Sequence, residues 1–184
     1  MTSKQMPAAK PPCKIHNTAI IAEKAQLTGT YLIEIGEGVV LHPYCKIRAE
    51  GGKVTIGKNT MVYERATIGC AQGAEMQDIF MGDDVNIETS AIVEGSIGDG
   101  STVEVSAMVG RGAAVGKYCK IAPLERVEAG ETLEDYTVVY SDGKRRIDKT
   151  MEEHEEVREA KRVGQEKAVE VMRKMIPNAA AKWM

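Results

Sequence analysis

The side chains best suited to metal binding or nucleophilic catalysis in this chain are three histidines and four cysteines. They are His16, His42, His154, Cys13, Cys45, Cys70 and Cys119. The cysteines form neither a CxxC pair nor a zinc-finger spacing, which predicts reduced, structural thiols. No Gly-rich phosphate loop follows a strand-to-helix step, so the sequence gives no support to nucleotide chemistry.

A histidine can act as the general base of an acyl transfer, so the three positions need individual assessment. His16 and His42 each follow an aliphatic residue, Ile15 and Leu41, that belongs to a regular repeat. His154 lies in a charged segment near the C-terminus. These positions favour a surface or corner role for His42 over catalysis, and favour it more strongly for His16 and His154.

The repeat has a period of six residues and is the main structural signal. Branched aliphatic residues recur at this step over eight successive positions: Ile97, Val103, Val109, Val115, Ile121, Val127, Leu133 and Val139. Such a run has a chance probability on the order of one in several hundred thousand. A small residue often stands four positions later, as at Ser101, Ala107 and Ala113. The same register extends upstream to Ile15, with interruptions at 28–34, 50–55, 69–80 and 94–96.

A period of six predicts an all-β fold, a single-stranded left-handed parallel β-helix built from hexapeptide repeats. Each hexad makes one short strand and one corner, and three hexads close a triangular coil of about 18 residues that stacks at roughly 4.8 Å on the next. The eight aliphatic residues are expected to form a structural core column on the axis. Large rings would not fit there, which agrees with an aromatic content of 4%. A spacing of six does not keep residues on one face of an α-helix.

Two segments interrupt or follow the repeat. Residues 69–80 predict a loop ejected at one corner, either a tolerated surface insertion or a partner contact. From about residue 150 an apolar stripe at helical spacing predicts an α-helix packed along the rod, begun by a capping box at Thr150-Met-Glu-Glu153 and ended by Pro177. Part of this stripe could instead face another subunit. The expected partner-contact residues are Gln72, Glu75, Met76, Phe80, Val171 and Met175.

These elements predict four regions along the chain. Residues 1–12 form an N-terminal tail, 13–144 the β-helix, 145–178 a hinge and the C-terminal α-helix, and 179–184 a second tail. The first residues lack an apolar stretch, and no run is apolar enough to span a bilayer, which favours a cytoplasmic protein. A net charge of −3 and the scarcity of aromatic residues argue against nucleic-acid binding.

Three segments resemble the γ-carbonic anhydrase-like family of β-helices: Leu41-His-Pro-Tyr44, Ile47-Arg-Ala-Glu50 and Met81-Gly-Asp-Asp-Val85. That resemblance implies three zinc-binding histidines at a subunit interface. At two of the matching positions this chain has Thr89 and Glu94, and no histidine occurs between His42 and His154. We therefore expect no catalytic residue, no metal and no cofactor.

A more specific resemblance covers residues 13 to 178. It depends on Ile56-Gly-Lys-Asn59, Met61-Val-Tyr-Glu-Arg-Ala66, Met81-Gly-Asp-Asp-Val-Asn-Ile-Glu88, Glu131-Thr-Leu-Glu-Asp-Tyr-Thr-Val-Val-Tyr140 and Met172-Arg-Lys-Met-Ile-Pro-Asn178. In these segments the chain resembles the dynactin subunit 6 family.

That resemblance implies a non-catalytic scaffold or adaptor subunit of the pointed-end complex of dynactin, which supports dynein-driven transport along microtubules. It also implies a heterodimer with the other β-helical pointed-end subunit, contacts with further dynactin subunits, and a cytoplasmic, cytoskeleton-associated location without direct membrane insertion. The alternative is a trimeric hexapeptide-repeat enzyme, γ-carbonic anhydrase-like or an acyltransferase, with a divergent site.

Overall fold

The structure, a computed structural model, describes residues 10–70 and 76–184, which form a rod of short strands followed by two helices. The helices are α1 (Lys149–Glu153) and α2 (Glu155–Met175), and a 3₁₀ turn spans Ala180–Lys182. The strands in chain order are β1 (Cys13–Ile15), β2 (Ile20–Ile21), β3 (Gln26–Gly29), β4 (Ile33–Ile35), β5 (Val40–Leu41), β6 (Lys46–Ala49), β7 (Val54–Ile56), β8 (Met61–Val62), β9 (Thr67–Ile68), β10 (Ile79–Met81), β11 (Asn86–Ile87), β12 (Ile92–Val93), β13 (Ser96–Ile97), β14 (Thr102–Val103), β15 (Met108–Val109), β16 (Ala114–Val115), β17 (Lys120–Ile121), β18 (Arg126–Val127), β19 (Thr132–Leu133), β20 (Thr137–Tyr140) and β21 (Lys144–Ile147).

The strands stack into three parallel sheets, one for each side of a triangular rod. Sheet A has the order β1-β4-β7-β10-β13-β16-β19, sheet B has β2-β5-β8-β11-β14-β17-β20, and sheet C has β3-β6-β9-β12-β15-β18. Every third strand is therefore a neighbour, as a solenoid requires. The described strands make six complete coils and two sides of a seventh. The predicted left-handed β-helix with a C-terminal helix is confirmed.

The coils turn at corners where one residue adopts a positive φ. At the corner between sheets A and B these include Gly38, Asn59, Asp84 and Gly100, which tolerate the left-handed region. The corner between sheets B and C has Tyr44, Arg65, Ser90, Ser106 and Leu124 at φ values from 56° to 66°. Bulky side chains rarely adopt this conformation, so the tyrosine and the leucine at this second corner are strained.

Small buried hydroxyl groups join adjacent coils on the inside of the A–B corner. Thr60 Oγ1 donates to the Gly82 carbonyl at 2.9 Å and accepts from the Val85 amide at 3.1 Å. Ser101 repeats the arrangement with Gly116 and Cys119 in the later coils. A larger side chain would displace the neighbouring coil, which explains the small residue in the repeat.

The sequence prediction of a hinge from residue 145 is wrong. Lys144, Arg145 and Arg146 lie in β21, which pairs antiparallel with β20 and closes the outer edge of sheet B. The turn at Ser141-Asp142-Gly143 has three successive positive φ values, which allow the chain to reverse. A charged strand at this edge discourages pairing with another sheet.

The helical segment begins earlier than predicted and is broken once. Asp148, not Thr150, is the N-cap, and its carboxylate accepts from the amides of Thr150 and Met151. His154 then leaves the helical region with φ −113° and ψ 97°, so α1 and α2 are separate helices. The break allows the longer helix to follow the rod from its last coils back to its first.

α2 packs along sheet B with apolar contacts at one end and polar contacts at the other. Val169 is buried in a cluster with Ile20, Val40 and Met61, which belong to successive coils. Four residues earlier in the packed stripe, at Gln165, the contacts become polar: its amide bonds both the Asn59 carbonyl and the Asn86 side chain. The outward residue of sheet B changes from apolar at Met61 to polar at Asn86, and α2 changes with it from Val169 to Gln165.

The last residues of the chain cap the first coil. Ala179 donates to the Ile21 carbonyl at 2.8 Å, and the Asn178 side chain bonds the Ile21 amide and the Ala19 carbonyl. Ala180 is buried in the main core and Trp183 packs against it. The expected tail at 179–184 is therefore a structural cap, because the open edge of β2 needs hydrogen-bond partners.

The two remaining segment predictions concern the N-terminus and the loop at 69–80. Residues 1–9 of the expected tail at 1–12 lie outside the described residues, while the Pro12 carbonyl already accepts from the Ile33 amide. Residues 71–75 also lie outside them. Ile79 and Phe80 were expected in the loop but belong to β10, which pairs with β7. In the described part of the chain, neither helix is apolar and long enough to cross a bilayer.

Candidate partner-binding surfaces

His42 is held rigidly on the outside of sheet B, directly after β5. Its Nδ1 lies 3.0 Å from Glu64 Oε1, and its ring stacks on Tyr63 with centroids 4.6 Å apart. Burial alone would raise the pKa of Glu64. The hydrogen bonds from its own backbone amide and from His42 have the larger combined effect, so the pKa lies below its usual value. His42 is 5% exposed, and its Nε2 is buried without a hydrogen-bond partner among the described residues. The geometry is that of a packed histidine next to an ionised carboxylate.

The structure places the other two histidines on different elements. His16 follows β1 in sheet A, and its Nδ1 lies 2.9 Å from Thr18 Oγ1. His154 separates α1 from α2, and its Nδ1 lies 2.8 Å from Glu156 Oε1. The three rings therefore do not meet at one site.

The cysteine thiols are poorly suited to chemistry. Burial raises the pKa of Cys45 to about 12 and that of Cys119 to about 11. Burial also raises the pKa values of Cys13 and Cys70. A thiol is nucleophilic and binds metals as the thiolate, so these groups pack as small apolar side chains at neutral pH.

The donor atoms on the rod do not fit a zinc site of the three-histidine type. Thr89 lies at the B–C corner and Glu94 follows β12, so the positions expected to supply imidazoles supply a hydroxyl and one carboxylate. Within residues 10–70 and 76–184, no group of three His, Cys, Asp or Glu side chains lies close enough to hold a metal ion.

The eight aliphatic residues expected to form the core column all lie in the interior. Their exposed fractions range from 0% at Val103 to 6% at Leu133. They alternate among the three sheets, since consecutive hexads occupy consecutive sides: Ile97 in β13, Val103 in β14 and Val109 in β15. One column of the sequence thus becomes three rows of side chains that meet on the axis.

The expected partner-contact residues lie on two separate surfaces. Gln72 and Glu75 are outside the described residues. Met76 and Phe80 are 75% and 53% exposed on the sheet A side of the rod. Val171 and Met175 are 50% and 68% exposed on α2, which packs on sheet B. The structure therefore does not bring the loop residues and the helix residues together.

Sequence reasoning missed a groove at the C-terminal end of α2. Met175, Ile176 and Pro177 form one side, and Pro43 and Tyr44 of the B–C corner form the other. The groove has a volume of about 380 Å³. Lys24 Nζ donates to Tyr44 Oη at 2.8 Å and lies 5.1 Å from the ring centroid, which fixes the tyrosine although it is 46% exposed. No sequence signal places Tyr44 beside a helix more than a hundred residues later.

Known proteins resemble this chain in sequence and in fold. No family model matches the chain. Among curated proteins, the dynactin subunit 6 of Nematostella vectensis is 29% identical over 136 residues, covering 69% of this chain and 73% of that protein. The dynactin subunit 6 of Xenopus tropicalis is 28% identical over 147 residues, covering 73% and 71%. The chain is similar to dynactin subunit 6. The predicted resemblance is confirmed.

Among solved structures, a hexapeptide transferase family protein from Anaplasma phagocytophilum has a TM-score of 0.72 and 17% sequence identity. The match covers 92% of this chain and 99% of that one. At this identity the likeness concerns the fold alone. The chain thus combines the fold of hexapeptide transferases with a sequence similarity to dynactin subunit 6.

Proposed function

We propose that this chain is a non-catalytic scaffold subunit of a dynactin complex, located in the cytoplasm with the cytoskeleton. The observation that carries the proposal is the similarity to dynactin subunit 6 from two animals over about 70% of each chain. In that role it pairs with the other β-helical subunit of the pointed end, contacts further dynactin subunits, and supports adaptor or cargo binding for dynein.

The chemistry of the described residues supports a binding role. The histidines lie on three separate elements, the thiols are protonated at neutral pH, and the donor atoms do not fit a zinc triad. The rod instead offers long flat faces and exposed apolar side chains, which solenoid proteins commonly use for partners. The exposed Phe80 and Met76 on one side, and Val171 and Met175 on another, would serve two different contacts.

The test is affinity purification of the full chain from its source cell, followed by mass spectrometry. The tag belongs before residue 1, because Ala180 and Trp183 pack against the core at the other end of the chain. Recovery of actin-related proteins and dynein subunits is the expected result. The matched control is the same tagged chain with Phe80→Asp and Met76→Asp, which removes the apolar contacts on the sheet A side while leaving the axis intact.

The enzyme alternative makes a different prediction for the purified protein. A hexapeptide-repeat enzyme of the zinc type would be a homotrimer with stoichiometric metal. Light scattering and elemental analysis of the full chain would separate the two. A zinc-containing homotrimer, together with absence of actin-related proteins from the purification, would contradict the scaffold proposal.

A further inference from the structure

α2 has a second apolar stripe, which meets the rod's apolar cluster through Ala168 and carries exposed side chains at Val171 and Met175. The packed stripe contains Gln165, Val169, Met172 and Ile176. At about 100° per residue, six other residues fall within a sector of roughly 80°, centred about 100° around the helix from the packed stripe. These six residues, the free stripe, are Val157, Ala160, Gly164, Ala168, Val171 and Met175. A helix that only had to pack on the rod would need a single apolar stripe.

The free stripe faces the B–C corner. The packed side of α2 lies over the A–B side of sheet B, where Gln165 bonds Asn59 and Lys161 bonds the Gly100 carbonyl. Met175 lies on the other side, in the groove with Pro43 and Tyr44 of the B–C corner. Apart from the buried His42, the outward residues on the B–C half of sheet B are half-buried beside α2: Tyr63, Glu88, Glu104 and Ala122.

This half of sheet B forms a trough with a floor and an apolar rim. Its floor is formed by one outward-facing residue from each coil, the residue that directly follows the inward-facing residue of sheet B. Backbone hydrogen bonds between coils place these residues above one another along the rod. The accessible floor comprises Tyr63, Glu88, Glu104 and Ala122, because His42 at its end is only 5% exposed. The opposite rim is the B–C corner, where Tyr44, Val105 and Leu124 are 46%, 43% and 81% exposed. We propose that this trough binds an amphipathic α-helix of a partner protein.

The spacing and size of the free stripe fit a helix as the occupant. Gly164, Ala168, Val171 and Met175 follow one another at steps of four, three and four, the spacing of a coiled-coil seam. A Cβ added at Gly164 would meet no atom within 4 Å. With Ala160 and Ala168 on either side, the middle of α2 lets a second backbone approach closely, since interaxial distance depends on the side chains at the contact.

The charges on the trough define the partner helix further. Glu64 is paired with His42, and Glu104 with Lys120 at 2.9 Å, whereas Glu88 between them has no ion pair among the described residues. On the outer edge of α2, the exposed Lys167 and Lys174 also have none there. The partner helix therefore presents an apolar stripe with a Lys or Arg towards the sheet and Asp or Glu towards α2.

This inference rests on the proposed role as a binding subunit, and photo-crosslinking tests it directly. The full chain carries benzoylphenylalanine in place of Val171 in the trough, or in place of Arg173 on the far side of the same helix turn, and is expressed in the source cell. Mass spectrometry then identifies the crosslinked peptide. The Val171 position is expected to crosslink to a segment with apolar residues at steps of three and four and a basic residue beside them. The Arg173 position is expected not to reach that segment.

Two variants added to the Val171 probe test the trough itself. Gly164→Leu fills the close approach and Glu88→Lys reverses the floor charge, and each is expected to lower the crosslink yield at least tenfold. Glu170→Lys, an exposed change on the outer side of α2, is the matched control and is expected to leave the yield unchanged. Circular dichroism melting of each purified variant checks that the rod remains folded.

The outcomes separate this inference from the proposed function. Recovery of dynactin subunits together with Val171 crosslinks to a second copy of this chain, to a non-helical segment, or to nothing would overturn the trough and leave the function standing. A Val171 crosslink yield that is the same with and without Gly164→Leu would also overturn the trough. Crosslinks to an amphipathic helix of a protein outside dynactin would support the trough and contradict the function.

Discussion

At the residue scale, the corners of the rod select side chains by backbone conformation. Asn59 and Asp84 at the A–B corner belong to the few non-glycine types that tolerate a positive φ. Tyr118 and Tyr136 at the same corner do not, but their rings stack 6.0 Å apart and lie beneath the Arg158 guanidinium, which ties α2 to the rod. Leu124 has no such compensation, since it is 81% exposed at φ 66°.

Replacement of this strained leucine should stabilise the isolated protein. Leu124→Asn relieves a left-handed conformation that costs about 1 kcal/mol, so the free energy of unfolding should rise by roughly 0.5–1 kcal/mol. Urea denaturation measures the change. Val105→Asn, at an exposed residue of the same corner with an ordinary φ, is the control and should show no gain. A loss of stability in Leu124→Asn would mean that the leucine side chain packs within the monomer.

The carboxyl group of Glu88 gives a pH dependence of known sign. Burial and the nearby Glu104 raise its pKa above 4.5, although Lys120 opposes them. The folded state thus binds more protons than the unfolded state just above pH 4.5, and the stability from this group falls as the pH rises through that window. Glu88→Gln should therefore be more stable than the wild type at pH 7, and the difference should disappear below pH 4.5.

Denaturant unfolding between pH 4 and 7.5 measures this difference. Glu34→Gln is a control of opposite sign, because its hydrogen bond to Lys53 lowers the pKa of Glu34. That carboxylate contributes stability above its unfolded pKa, and the contribution is lost as the pH falls through the folded value. The Glu34 variant should therefore lose stability at neutral pH. A pH-independent effect of Glu88→Gln would contradict the raised pKa.

At the element scale, local sequence predicts what repeats and misses what depends on distant contacts. The period of six predicts the strands because each inward residue, such as Val103 or Ile121, needs the same environment. The apolar stripe with Pro177 predicts the helix. The N-cap at Asp148, the antiparallel β21 and the cap made by Asn178 were not predicted, because each is defined by an edge of sheet B that only the folded rod presents. The sequence shows the residues of the free stripe, but it does not show which of the two stripes packs on the rod.

The C-terminal cap is an element whose contribution is measurable at one residue. Asn178→Ala removes the bonds of its side chain to the Ile21 amide, the Ala19 carbonyl and the Ala180 amide. Leaving partly buried backbone groups unpaired should cost about 1–3 kcal/mol. Urea unfolding gives the total loss, and hydrogen exchange at the Ile21 amide locates it.

A conservative variant makes this prediction sharper. Asn178→Asp keeps the oxygen that accepts from Ile21 and Ala180 but loses the nitrogen that donates to Ala19. Its stability should lie between those of the wild type and Asn178→Ala. If the alanine variant unfolds like the wild type, the cap does not contribute to stability in solution.

At the scale of the whole molecule, the rod depends on an axis filled by aliphatic side chains. The column residues were predictable because the period alone identifies them. The direction in which α2 runs, and therefore which half of sheet B stays open, follows from contacts such as Gln165 with Asn86 and Val169 with Val40, which no local pattern encodes.

A charge on this axis should unfold the protein. Val109→Asp places a carboxylate at a position that is 0% exposed, with apolar neighbours above and below. An unpaired buried charge costs several kcal/mol, a large part of a domain's stability of about 5–15 kcal/mol. The far-UV circular dichroism spectrum and its melting curve should show loss of the fold. Leu124→Asp places the same charge at an exposed position of the B–C corner and should keep the fold, with a melting temperature no lower than that of the wild type. If Val109→Asp also melts like the wild type, the assigned register is excluded.

The contact between Asn178 and Ile21 spans 157 positions of the chain. A ribosome that adds about 5–20 residues per second makes the first coil roughly 10–30 seconds before the residues that cover it. During that interval the emerging rod can stack coil upon coil, but its starting edge stays open to pairing with other nascent chains. Correct assembly of this protein in the cell therefore depends on release of residues 178–183 from the ribosome, and a product shortened before them would expose a pairing edge from the moment it is made.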